Sequence, residues 1–208
     1  MNINLSNSGN DPLDYVFFTS DTHFGHKNII KYCDRPFKDT DHMDEEIIQR
    51  WNETVPEYGI VYHLGDIALG DISKSLPKVG RLNGYKYGII GNHDRLFSTY
   101  SKTHQERFLP EYNKVFQSII DENGATVDIG GVEFRISHFP YTGDHTPTDR
   151  HSNVRPVDEG MPLIHGHTHT KDKVTYSTKG TVQIHVGQDA WGFKPVSARQ
   201  ILEEMELY

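Results

Sequence analysis

From Tyr15 onward the chain alternates short apolar runs with polar breakers. Runs at Tyr15–Ser20, Ile60–Leu64, Lys86–Ile90, Val132–Ser137, Pro162–His165, Val174–Tyr176 and Val182–Val186 are each closed by turn-forming residues, which predicts strands. Between the early runs the apolar period lengthens. Met43, Ile47, Ile48, Trp51 and Val55 form one helical stripe, with Asp41 expected as its N-cap. Ile72, Leu76 and Val79 repeat that spacing after Asp71, and Gly80 is placed to end the helix. A third helical region is expected over Thr103–Ile120, kinked at Pro110, with Tyr112, Phe116 and Ile119 facing the core, and Ser197 is placed to cap a last helix over Ala198–Glu204.

Strands that first alternate with helices and later follow one another closely predict an α/β sandwich, its early sheet mainly parallel. The whole chain, 1–208, reads as one domain, with residues 1–13 as a flexible N-terminal piece. One stretch departs from this compact pattern. Phe139–Met161 holds Pro140, Pro147, Pro156 and many polar residues, and loops of that length are commonly functional.

Charge narrows the partners. With 21 Lys and Arg against 29 Asp and Glu the net charge is −8, which lacks the electrostatic footprint of a duplex nucleic-acid binder. Cys33 stands alone, which excludes an intrachain disulfide and fits a reducing compartment. No apolar run approaches the roughly 18 residues of a membrane span. The expectation is a soluble, cytoplasmic protein without a membrane partner. Thirteen histidines, well above ordinary usage, raise the prospect of metal.

The residues just past the strands sharpen that prospect. The predicted strands end successively at Asp21 and His23, at Gly65-Asp66, at Gly91-Asn92-His93-Asp94, at His138, and at Gly166-His167-Thr168-His169. In open α/β sheets ligands bind beyond the carboxyl ends of strands, and these ends deliver Asp, Asn and His to one rim. Asp-x-His is expected about once by chance in this composition and says little. Gly-His-x-His is expected roughly 0.07 times and Gly-Asn-His-Asp roughly 0.005 times, so these two carry the signal.

In this order the blocks resemble the calcineurin-like metallophosphoesterases, over Val16 to about Trp191, and most of all small bacterial and phage members. The resemblance implies a four-layer α/β/β/α sandwich with two mixed sheets. It implies two divalent metal ions, manganese first, with iron, zinc, nickel or cobalt as alternatives. Asp21, His23, Asp66 and His169 would hold one, and Asp66, Asn92, His138 and His167 the other. It further implies in-line attack on phosphorus by a metal-bridging hydroxide, with His93 facing the substrate as proton donor and Asp94 orienting its imidazole. Paired cations would also explain how an acidic chain binds phosphate.

The expected substrate is a small phosphate ester, with a nucleotide-like or cyclic-nucleotide diester favoured. A phosphomonoesterase, a single-strand nuclease and a catalytically silent interaction module on the same fold are the alternatives. The silent module is disfavoured because His93 and every ligand position are intact. His26, Arg35 and Arg95 are candidate substrate contacts through imidazole or guanidinium. Asp149 and His151 repeat Asp-x-His inside the proline-rich loop and read as solvated, while His63 and His165 sit within strands and read as packed.

Overall fold

The structure, a computed structural model, describes residues 2–3, 12–144 and 146–206. Its strands are β1 (Asn2–Ile3), β2 (Val16–Thr19), β3 (Ile60–His63), β4 (Tyr85–Ile89), β5 (Ser118–Ile120), β6 (Ala125–Ile129), β7 (Val132–Ile136), β8 (Leu163–His165), β9 (Val174–Tyr176), β10 (Val182–His185) and β11 (Val196–Ser197). The helices are α1 (Lys27–Tyr32), α2 (Thr40–Thr54), α3 (Ile72–Ser75), α4 (Lys102–Asn113) and α5 (Ala198–Glu206). The seven predicted strands are all present, each within a residue of its predicted ends.

Two mixed sheets face each other in the expected four-layer arrangement. One runs β1-β6-β7-β8-β10-β9, the other β11-β2-β3-β4-β5, with β2 to β5 mutually parallel. The inner faces meet through Val16, Phe18, Tyr62, Leu64 and Ile89 against Val127, Phe134, Ile136, Ile164 and Ile184. Residues one position along, Phe17 and Val61, point the other way and pack under Met43, Ile47 and Trp51 of α2. This is the period-two logic of a sheet covered on both faces. α5 joins the inter-sheet core through Ile201 and Leu202.

Several boundaries differ from expectation. Asp39, not Asp41, caps α2, its carboxylate accepting from the His42 N–H. Asp71 caps α3 as expected, but with Pro77 in place the chain tightens into a 3-10 turn over Leu76–Arg81. α4 stops at Asn113, and Ile119 reaches the core from a strand, β5. Within the N-terminal piece expected to be flexible, Asn2–Ile3 pairs in parallel with Thr126–Val127, and Pro12–Asp14 forms a 3-10 turn; residues 1 and 4–11 lie outside the described residues.

Both sheets send the carboxyl ends of their central strands to one edge of the sandwich. There the loops continue the strand pairing: the Asp21 N–H donates to the Gly65 carbonyl and the His23 N–H to the Asp66 carbonyl, each at 3.0 Å. The Gly166 N–H reaches the His138 carbonyl at 3.0 Å, so the rim is tied within each sheet. No helix among the described residues is long and apolar enough to cross a membrane.

Candidate metal centre

The rim loops turn sharply, and the residues that turn are the candidate ligands themselves. Asp21, His23, Asp66, His167 and His169 have φ of 60°, 51°, 55°, 71° and 52°. Left-handed backbone is disfavoured for residues with a Cβ, and such strain concentrates at functional sites. Gly91 supplies the close approach: a Cβ there would stand 2.4 Å from Asp66 Oδ1. Only a residue without a side chain lets the β4 loop lie against Asp66.

Two groupings result. In the first, Asp21 Oδ1 lies 3.8 Å from His23 Nε2 and 3.8 Å from His169 Nε2, and His23 Nε2 lies 3.7 Å from Asp66 Oδ2. In the second, His138 Nε2 lies 3.6 Å from Asp66 Oδ2 and 3.1 Å from Asn92 Oδ1. Asp66 belongs to both. All of these side chains but Asn92 and His169 are buried.

Hydrogen bonds aim the donor atoms. His138 Nδ1–H donates to the Leu64 carbonyl at 2.7 Å, which leaves Nε2 as the nitrogen whose lone pair can ligate. That lone pair faces the carboxamide oxygen of Asn92 and a carboxylate oxygen of Asp66, so acceptors crowd one point. His169 Nδ1 is bonded to Asp189 Oδ2 at 2.9 Å, with Nε2 turned toward Asp21. The backbone N–H of His167 holds Asp21 Oδ2 at 3.0 Å, while Asp21 Oδ1 and both nitrogens of His23 are buried without any hydrogen-bond partner.

Buried acceptors turned on one another cost free energy unless something positive sits between them. Separations of 3.6–3.8 Å are too long for hydrogen bonds and close to the roughly 3–3.5 Å between ligand atoms that share a cation with bonds of ~2.1 Å. The residues therefore fit divalent metal, with Asp66 facing both groupings. Oxygen and imidazole without thiolate suits Mn²⁺, Fe, Zn²⁺, Ni²⁺ or Co²⁺.

The electrostatics of two of the buried rings agree. Burial, reinforced by the charge of His169, holds His23 well below its ordinary pKa, and burial beside His138 brings His167 down to about 2. Both rings are thus neutral, the form that ligates. Burial pushes the Asp21 carboxyl up, whereas at Asp66 burial is outweighed by His138 and His93 and the pKa falls.

A profile of the calcineurin-like phosphoesterase superfamily domain matches residues 15–196. The chain belongs to that superfamily. Among similar members are the Gene 66 protein of Mycobacterium phage D29, 37% identical over 85% of this chain and 88% of that one, and the uncharacterized protein MJ1445 of Methanocaldococcus jannaschii, 30% identical over 92% and 91%. A solved structure, the protein of unknown function AQ665 from Aquifex aeolicus, aligns with a TM-score of 0.66 at 26% identity, covering 90% of this chain and 97% of that one.

Three expectations for this phosphoesterase domain are corrected by the side chains. Asp94 does not touch the His93 imidazole. Its fully buried carboxylate accepts from the N–H groups of Asp66, Gly91 and Ile67 at 2.9, 2.8 and 3.1 Å, and from the Tyr112 hydroxyl at 3.3 Å. It builds the turn that carries the ligands, and burial with the charge of Asp66 pushes it up to about 7. Arg35 is no phosphate clamp: it is 4% exposed, its guanidinium paired with Asp189 at 2.9 Å and donating to the Asp21 carbonyl at 2.8 Å. Arg95 leaves the site altogether, stacking 5.9 Å over the Phe108 ring.

His93 and His26 do face solvent at the site. A cavity of about 500 Å³ is lined by His23, His26, Tyr32, His93, Arg150 and His169, among others. His93 is exposed, its backbone N–H held by Asp66 Oδ1 at 2.8 Å, and His26 lies 6.5 Å from it, centroid to centroid. His63 is buried as expected, bonded to Thr22 Oγ1 at 2.9 Å and lowered by burial to about 3. His165 is buried as well. His151 differs from expectation: it packs its ring on Phe139 and His167 at 5.3 and 6.0 Å. Asp144, Arg150 and Asp189 are site residues the sequence reading missed, since no motif marks them and only the folded loops bring them in.

Proposed function

We propose that this chain is a dinuclear metal-dependent phosphodiesterase acting on a small nucleotide-like diester. The observation that carries the reading is the convergence of Asp21, His23, Asp66, Asn92, His138 and His169 as closely facing side chains of metal-ligating type beneath an open cavity. Divalent ions bound there would neutralise phosphoryl charge and acidify a bound water, chemistry that an acidic chain cannot otherwise supply.

The protein's own groups divide the remaining work. Asp66 Oδ1, by holding the His93 N–H, aims that imidazole over the site, where it gives a proton to the leaving oxygen. The cavity volume falls in the range for a small molecule, not a long groove. Among the lining residues described, Arg150 is the one permanently cationic side chain, and its guanidinium is already paired with Asp144 at 3.0 Å, so little lining charge is left for the second charge of a monoester. The intact ligand set supports an enzyme over a silent module.

With Mn²⁺ added, bis-p-nitrophenyl phosphate is expected to turn over at least ~10-fold faster than p-nitrophenyl phosphate, the ~1.4 kcal/mol bias asked of the lining charge. The reverse preference would make the protein a monoesterase. No turnover of either ester with any divalent ion would favour the interaction module. A panel of cyclic nucleotides and short oligonucleotides then locates the substrate class.

A further inference from the structure

The segment between β7 and β8 is not an open loop. Arg155, its side chain 5% exposed, gathers the carbonyls of Arg150 at 2.7 Å and Gly143 at 2.9 Å and pairs with Asp144 Oδ2 at 2.9 Å. Arg150 grips the same carboxylate from the other side, its backbone N–H on Oδ2 at 3.1 Å and its guanidinium on Oδ1 at 3.0 Å. The Asp144 side chain is fully buried, and the ring of His151 seats the segment against Phe97, Phe139 and His167.

This arrangement presents Asp144 Oδ2 at 3.1 Å from His167 Nε2. The two arginines keep the carboxylate ionised, so it can only accept, and Nε2 must carry the proton. A neutral imidazole protonated at Nε2 has its lone pair on Nδ1. The His167 ring stands 5.2 Å from that of His138, at the grouping that also holds Asp66 and Asn92.

We infer that Asp144 is the positioning residue of the second cation site: it fixes the Nε2–H tautomer of His167 and so directs Nδ1 at the ion. Burying a carboxylate between two guanidiniums is costly unless its oxygens are satisfied, and here the bonds from Arg150 and Arg155 hold the oxygen that meets His167. Among the described residues, the first site takes no side chain from this segment. Removing Asp144 therefore unbalances the two sites.

The inference rests on His167 as a ligand, and its test separates the two. Wild-type protein, Asp144→Ala and Asp144→Glu are titrated with Mn²⁺ and read by electron paramagnetic resonance, which distinguishes a coupled pair from an isolated ion. Asp144→Ala is expected to keep one tightly held Mn²⁺ per chain and to form the coupled pair only at about 10–100-fold higher Mn²⁺, with Asp144→Glu recovering part of the loss. A coupled pair formed by Asp144→Ala at the wild-type concentration, or equal weakening of both sites, overturns the inference. No coupled pair in wild type would instead sink the dinuclear reading. Independently of metal and of the variants' folding, ¹⁵N-histidine correlation spectra of the metal-free wild type should show His167 protonated at Nε2, and protonation at Nδ1 overturns the inference.

Discussion

Asp66→Ala is expected to empty both cation sites together and to lower turnover by at least ~10³-fold, the size of the several kcal/mol that paired ions supply. Asp66 Oδ2 is the atom common to the two groupings, 3.7 Å from His23 Nε2 and 3.6 Å from His138 Nε2. The effect on the metal-free fold should be far smaller. Beyond burial, the charge of Asp66 raises the pKa values of Asp21 and Asp94, so its loss relieves that repulsion while removing its attraction to His138 and His93 and orphaning the His93 N–H. Those contributions offset to within ~1 kcal/mol. The signature is thermal: Mn²⁺ at 100 times its dissociation constant should stabilise the wild type by about 2.7 kcal/mol per site and the variant hardly at all. A variant that still gains stability with Mn²⁺ would show that the sites do not depend on a shared carboxylate.

His93→Ala should behave in the opposite way. His93 is half exposed, and its Nε2 stands 4.0 Å from Asp66 Oδ2, outside the acceptor clusters. Both ions are expected to stay, while turnover falls at least ~100-fold, the lower range for general acid catalysis. The loss should grow with the basicity of the leaving group. A p-nitrophenyl ester leaves without much help from an acid, whereas a nucleoside hydroxyl needs its proton. Equal losses across leaving groups would assign His93 to binding, and loss of metal would make it a ligand.

Much of this site could be read from the residue order, because strands end where polar turns begin and the candidate ligands sit at those ends. Asp21, His23, Asp66, Asn92, His138, His167 and His169 needed only correct strand ends to be placed on one rim. Besides the two-residue β1 and β11, two strands stayed hidden for different reasons. The alternation Ala125, Val127, Ile129 before Gly130-Gly131 is a legible hairpin signal that the sequence reading passed over. β5 was masked because Phe116 and Ile119 continue the helical spacing of Tyr112 by coincidence, although the helix has already ended.

The partners of the ligands were not legible. Asp94 follows His93 in sequence, yet its carboxylate is drawn to three backbone N–H groups of adjacent turns, a stronger demand than one imidazole makes. Arg35 and Asp189 are separated by 154 residues and meet only when the α1–α2 loop closes on the segment between β10 and β11. Asp144 lies in a segment whose composition suggests only a loop, and its role depends on how Arg150 and Arg155 fold that segment back. Spacing reports which residues leave a strand; it does not report which long-range pairs close around them.

Crystals soaked with Mn²⁺ and measured at the manganese absorption edge address the central claim most directly. Two anomalous peaks about 3.5–4 Å apart are predicted, one among Asp21, His23, Asp66 and His169, the other among Asp66, Asn92, His138 and His167. One peak, or peaks that do not share Asp66, would contradict the account.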